Sequence, residues 1–171
     1  MRPHDPVILC AVVLQTDESW FMKDLAVQLH LSHSEISESL HRSMQVGLIN
    51  PDKRQIQKLN LCDFIQHGLK YVFPAIPGTL ERGVPTAASA KPLRDKIRSS
   101  IDVVWPVPGG EISGISIAPL YKKLPEACMK WNELYRVVSL IDAIRMNQSA
   151  REVEIAVQLL KKLLIDESGN K

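Results

Sequence analysis

Six of the eleven prolines in this 171-residue chain (Pro74, Pro77, Pro85, Pro92, Pro106 and Pro108) fall between residues 71 and 110, together with four of the eight glycines. Proline lacks a backbone donor and clashes with the preceding helical turn, so a helix of ordinary length cannot cross that stretch. The chain therefore divides into a helical block over 1–70, a Pro/Gly-rich extension with short strands over 71–124, and a C-terminal helical region over 125–171. Irregular backbone is expected through 71–110, followed by a short extended piece where Ile115 and Ile117 alternate.

Helix signals are dense in the first block. Asp5 can accept from exposed N–H groups at a helix start, with Pro6 at the first helical position, and Val7, Ile8, Ala11, Val12 and Leu14 then form one apolar face. Leu25, Ala26 and Leu29 repeat at helical spacing after Trp20-Phe21. Leu31-Ser32 breaks that helix, and Ser32-His33-Ser34-Glu35 has the S-x-x-E form of a reciprocal cap. The third helix places Ile36, Leu40 and Met44 inward and stops at Gly47. Leu48-Ile49, a turn at Asn50-Pro51-Asp52-Lys53-Arg54 and Gln55 to Lys58 make a hairpin, and Leu59 to Leu69 gives a fourth helix. Helix, helix, helix, hairpin, helix is the order of a helix-turn-helix with a wing. The expected fold class is mainly α with a small β wing.

The stretch from Asp24 to Leu40, closed by Val46-Gly47-Leu48-Ile49, resembles the MarR-like winged helix-turn-helix pattern over about residues 20–58. The segments Gly68 to Ala75, Arg82 to Ala87 and Val104-Trp105-Pro106 resemble those of a bacterial winged-helix group linked to toxin–antitoxin operons. The resemblance implies a DNA-binding regulator whose third helix turns His33, Ser34, Ser37, Glu38, His41, Arg42 and Gln45 outward. Two departures stand out. His30 occupies the turn position that usually holds glycine, and Glu35 and Glu38 lie on the helix that should read bases.

Charge restricts how such a surface works. The chain carries 21 basic and 19 acidic side chains, a net +2, so it cannot coat nucleic acid by bulk electrostatics. Block 1–70 is net −1, and the surplus lies in 71–110. Ser34, Ser37, Glu38, His41, Arg42 and Gln45 are expected toward base edges, and Lys53, Arg54 and Lys58 toward phosphate. The same helix can instead be a scaffold. Arg82, Arg94 and Arg98 are additional binding candidates. Lys91 to Arg98 reads as a short amphipathic helix with Leu93 and Ile97 inward and Arg94 and Arg98 outward, for which a solvated face is the plainer explanation.

The C-terminal region opens at Pro125, continues from Trp131 to Arg145, and restarts at Ser149-Ala150-Arg151-Glu152 with a second S-x-x-E cap. Val153, Ala156, Val157, Leu160, Leu163 and Leu164 form a wide apolar stripe that needs covering, either by the first and fourth helices or by a second copy of the chain. Cys10, Cys62 and Cys128 lie far apart in sequence and fit packed thiols in a reducing cytoplasm. No apolar run approaches the roughly 18 residues of a membrane span. His30-x-x-His33 lacks further ligands at metal spacing. Asp17-Glu18 and Asp166-Glu167 read as solvated helix ends, and no catalytic constellation or cofactor motif is found. The expectation is a dimeric cytoplasmic autorepressor on double-stranded DNA. The alternative is an antitoxin or adaptor that grips a toxin-like partner protein.

Overall fold

In the computed structural model, residues 1–15, 20–53 and 55–166 are described. The chain is mainly helical with a small three-stranded sheet. Helices α1 (Asp5–Leu14), α2 (Met22–Leu29) and α3 (His33–Gln45) come first. Then α4 (Lys58–Asp63) runs through a π-turn at Phe64–Gly68 into α5 (Leu69–Val72). Strands β1 (Leu80–Pro85), β2 (Val103–Pro106) and β3 (Ile112–Ser116) follow, then α6 (Leu124–Lys130), α7 (Asn132–Met146) and α8 (Ala150–Lys161), the last continuing into a π-turn at Lys162–Asp166.

The sequence assigns α1 a single apolar face, but every residue from Asp5 to Val13 is buried. A helix that is apolar all round belongs in the centre of a protein. Here α2, α3, α4 and α7 all pack on α1, so Leu9, Cys10 and Val13 fill the face that the periodicity leaves open. Asp5 also differs from its expected role. His4 is the cap residue, and the Asp5 carboxylate accepts from the Arg2 backbone N–H at 2.6 Å instead of from its own helix.

The proline-rich stretch is largely irregular, as expected, but its short strands pair into a sheet. β1 is antiparallel to both β2 and β3, and β2 and β3 are parallel, so each strand borders the other two in a small closed sheet. Gly83 pairs with Pro106 on one side and Ile112 on the other. A Cβ on Gly83 would lie 1.9 Å from the Trp105 carbonyl oxygen, and one on Gly114 would lie 2.5 Å from that of Asp102. Three strands can approach this closely only without side chains at those positions. Pro85 and Pro106 each end a strand, where a missing donor costs no ladder bond. Lys91 to Lys96 forms turns, not the expected helix, although Leu93 is fully buried and Arg94 and Arg98 are exposed as expected.

A buried polar cluster joins the sheet to α7. The fully buried Asp142 carboxylate accepts from Thr86 Oγ1 at 2.8 Å, Trp105 Nε1 at 2.7 Å and Arg145 Nη1 at 2.5 Å. Arg145 Nε then donates to the Phe73 carbonyl at 2.8 Å. Nearby, Tyr135 donates to the Pro85 carbonyl at 2.6 Å and its ring meets Trp105 edge-on at 6.0 Å.

The apolar stripe of α8 is covered within the chain. α8 packs on α7 and α4, and Ala156, Val157, Leu160, Leu163 and Leu164 are buried. The local cover expected from α4, together with α7, thus removes the sequence-based motive for pairing two copies through this stripe.

Asp142→Ala leaves the Arg145 guanidinium and two further donors without their acceptor, at a cost of about 3–5 kcal/mol. Trp105→Phe removes one donor and keeps most of the ring, at about 1–2 kcal/mol. Thermal unfolding followed by circular dichroism is expected to show a drop of about 10 °C for the first and a few degrees for the second. An equal or reversed order would show that the carboxylate does not tie the sheet to α7.

Candidate nucleic-acid interface

The geometry between α2 and α3 follows from backbone caps. His30 takes the left-handed conformation (φ 53, ψ 39), as its position in the turn requires. The Leu31 N–H reaches back to the Ala26 carbonyl at 3.0 Å, closing the end of α2. Ser32 and Glu35 form the expected reciprocal cap: Ser32 Oγ accepts from the Glu35 N–H, and the Glu35 carboxylate accepts from the Ser32 N–H at 2.8 Å and hydroxyl at 2.7 Å. These bonds hold the Glu35 carboxyl below the usual carboxylate range. Glu35 is therefore part of the turn and not of an outward face.

On α3, Ile36, Ser39, Leu40 and Ser43 are buried, with Met44 half-buried. His33, Ser34, Glu38, His41 and Gln45 are exposed, and Ser37 is half-buried. His41 Nε2 and Gln45 Nε2 lie 3.4 Å apart, one turn along this face. After α3, Gly47 has φ 72 and the chain folds back through a hairpin held by an Ile49–Ile56 bridge, with Asn50 N–H to the Gln55 carbonyl at 2.9 Å. Lys58 begins α4 and is not on the second hairpin arm. Arg54 lies outside the described residues, as do Asp17, Glu18 and Glu167.

Arg42 is committed to a partner on α1. Its Nη2 donates to Asp5 Oδ1 at 2.7 Å and its Nε to Asp5 Oδ2 at 3.0 Å, a bidentate pair on a fully buried carboxylate. Burial would raise the Asp5 pKa, but the Arg42 guanidinium and the Arg2 N–H outweigh it and hold the carboxyl low. Glu38 Oε2 lies 3.5 Å from Arg42 and 3.7 Å from Arg2. The sequence places Arg42 outward because helical periodicity reports a face and not a partner. The partner here is 37 residues away, on α1.

Phe21 and Lys23, which sequence reasoning missed, join the expected His33 and Lys53 at the other end of the face. The N-terminal ends of α2 and α3 and the hairpin turn border an open cleft of about 320 Å³ whose lining includes Phe21, Lys23, His33, Asp52 and Lys53. Phe21 is 58% exposed, with the Lys23 ammonium 5.9 Å from its ring centroid. Lys53 adopts φ 56 at the hairpin turn, which turns it toward this cleft. The available sequence signal was an aromatic residue at a helix start with a lysine two positions on.

Other candidates have local roles. Arg82 donates to the Gly110 carbonyl at 3.0 Å and the Glu111 carbonyl at 3.1 Å, bracing the β2–β3 connection against β1. Arg94 lines a separate cleft beside α7, and Arg98 is exposed in irregular chain. Cys10, Cys62 and Cys128 are buried, and burial raises each thiol pKa. Among the described residues no three His, Cys, Asp or Glu side chains gather as metal ligands, and no helix is long and apolar enough to cross a membrane. Comparison with protein-family profiles, curated proteins and solved structures finds no match.

Because the folded Asp5 carboxyl titrates below its unfolded value of about 3.9, its pairing stabilises the protein above that pH and is lost as pH falls through the folded value. Denaturant unfolding is expected to show Asp5→Asn less stable than wild type at pH 7, with the gap narrowing below about pH 4. Arg42→Ala strands a buried charge and is expected to cost about 2–4 kcal/mol at pH 7. A neutral Arg42→Ala would show that the pair is not structural.

Proposed function

We propose that the chain is a winged helix-turn-helix DNA-binding regulator, with α3 as the recognition helix and the Ile49–Ile56 hairpin as a short wing. The observation that carries this is the arrangement of α2, the left-handed turn at His30 and the capped α3, which leaves one face of α3 exposed along its length while the other is buried against α1 and α2. A recognition helix needs that division: one side fixed by packing, the other open to the major groove.

The roles of individual residues shift accordingly. Ser34, Ser37, His41 and Gln45 are the base-edge candidates, since hydroxyl, imidazole and amide groups can each donate or accept. Lys23 and Lys53, gathered around Phe21 and His33, are suited to the phosphates on either side. The first helix of such a motif crosses the backbone, which is where Lys23 at the start of α2 would lie. A homodimer on paired half-sites belongs to the same proposal, through a surface other than the α8 stripe.

A protein-binding module, such as an antitoxin or adaptor for a toxin-like partner, is the second reading. What favours it is the fate of Arg42. The permanent cation of α3 is committed to Asp5, and the exposed face retains the carboxylate of Glu38.

Gel retardation of the DNA upstream of the gene, run at two salt concentrations, separates the two readings. Lys23→Ala with Lys53→Ala is expected to weaken binding to all duplexes and flatten the salt slope by about two. Gln45→Ala or His41→Ala is expected to relax sequence preference at a cost of about 1–3 kcal/mol. Absence of retardation at low salt, with stoichiometric capture of one partner protein, would favour the second reading.

A further inference from the structure

A second cleft, of about 540 Å³, opens between the first turns of α7 and the segment that follows β1. Lys91, Arg94 and Arg136 line it, facing one carboxylate, Asp95. None of these three cationic side chains makes a hydrogen bond or ion pair with another described residue. Several other arginines are committed within the chain: Arg42 to Asp5, Arg82 to two carbonyls, Arg145 to Asp142. Three cations against one carboxylate leave the recess net positive, which favours an anion there.

Pro85, Pro92 and Tyr135 also line the cleft. Tyr135 is fixed by its 2.6 Å bond to the Pro85 carbonyl, and burial pushes its phenol pKa up to about 12, so it stays a neutral donor. Ser89, which also lines the cleft, accepts at Oγ from the Val103 N–H at 2.8 Å, and Ala87 nearby in sequence is held at φ 50. A left-handed alanine costs about 1–2 kcal/mol and persists only where its surroundings over-determine it. The first turn of α7 also borders the cleft, and its cap residue Trp131 supplies no side-chain acceptor to the free N–H groups there.

A recess lined by two guanidinium forks, a ring held by its hydroxyl and two prolines matches a flat molecule carrying phosphate. We propose that this cleft binds a small organic phosphate with a ring-shaped body, of which a nucleoside diphosphate is the simplest example, the phosphates on Arg94, Arg136 and Lys91 and the ring against Tyr135 and Pro85. Arginine favours phosphate here because its planar donors can engage two oxygens at once. The volume lies within the usual range for small-molecule sites. The inference stands on this cleft alone and does not depend on DNA binding.

Titration calorimetry of the full chain with ADP, AMP, inorganic phosphate and citrate tests it. ADP is expected to bind at one site and raise the Tm, with phosphate alone at least tenfold weaker. Arg94→Gln and Arg136→Gln are each expected to weaken ADP about tenfold or more, and Lys96→Gln, outside the cleft, to leave it unchanged. Arg94 is exposed and its side chain is unbonded, so its substitution leaves the fold intact and the arm interpretable. No saturable ADP binding, or unaltered binding by Arg94→Gln, overturns the proposal. Phosphate binding as tightly as ADP overturns the ring-binding half, and citrate binding more tightly than ADP overturns the choice of phosphate.

Discussion

A carboxylate removed from water is tolerated only when donors surround it, and Asp142 gathers its donors from across the chain. Thr86 comes from the end of β1, Trp105 from β2 and Arg145 from the next turn of the same helix. Arg145 passes the connection on to the Phe73 carbonyl, where α5 ends. The proline-rich stretch could not have docked elsewhere without leaving these groups unpaired. Since α7 also packs on α1 and α8, this cluster sets the position of the sheet relative to the whole helical core.

The same device recurs in the first block. Asp5, fully buried at the start of α1, is satisfied by the fork of Arg42 on α3, and so fixes how those two helices cross. Buried acid–arginine pairs of this kind contribute less to net stability than to a defined geometry, because desolvation offsets much of the attraction. They also change the surface. A chain that is only +2 overall withdraws Arg42 and Arg145 into its interior and uses Arg82 to hold a turn. Among the described residues, Lys23 and Lys53 around Phe21, and Lys91, Arg94 and Arg136 beside α7, are cations that line clefts.

Much of the helical part was legible because its signals are short-range. The reciprocal cap at Ser32 and Glu35, the stop at Gly47, the hairpin around Asn50 to Gln55 and the restart at Ser149 each involve residues within a few positions of one another. Short strands were expected between 71 and 124, but their positions and pairing were not legible. β1 and β2 contain prolines and glycines that lower strand propensity, and what makes them strands is mutual pairing across about 20 residues of intervening chain. Gly83 reads as a loop residue in sequence, but together with Gly114 it is what lets three strands pass so close together.

The candidate site divides along the same line. The sequence by itself determined that a left-handed turn joins two capped helices, which side of α3 is apolar, and that a hairpin follows, because backbone caps and 3.6-residue periodicity act locally. Only the tertiary structure decided that Arg42 is spent on Asp5, that Lys58 belongs to a helix, that Lys23 and Phe21 join Lys53 in one cleft, and that the α8 stripe is covered within the chain. The physical reason is distance along the chain. Arg42 and Asp5 are 37 positions apart, Trp105 and Asp142 likewise 37, and Thr86 and Asp142 56, so these pairings exist only once the core has brought their helices and strands together.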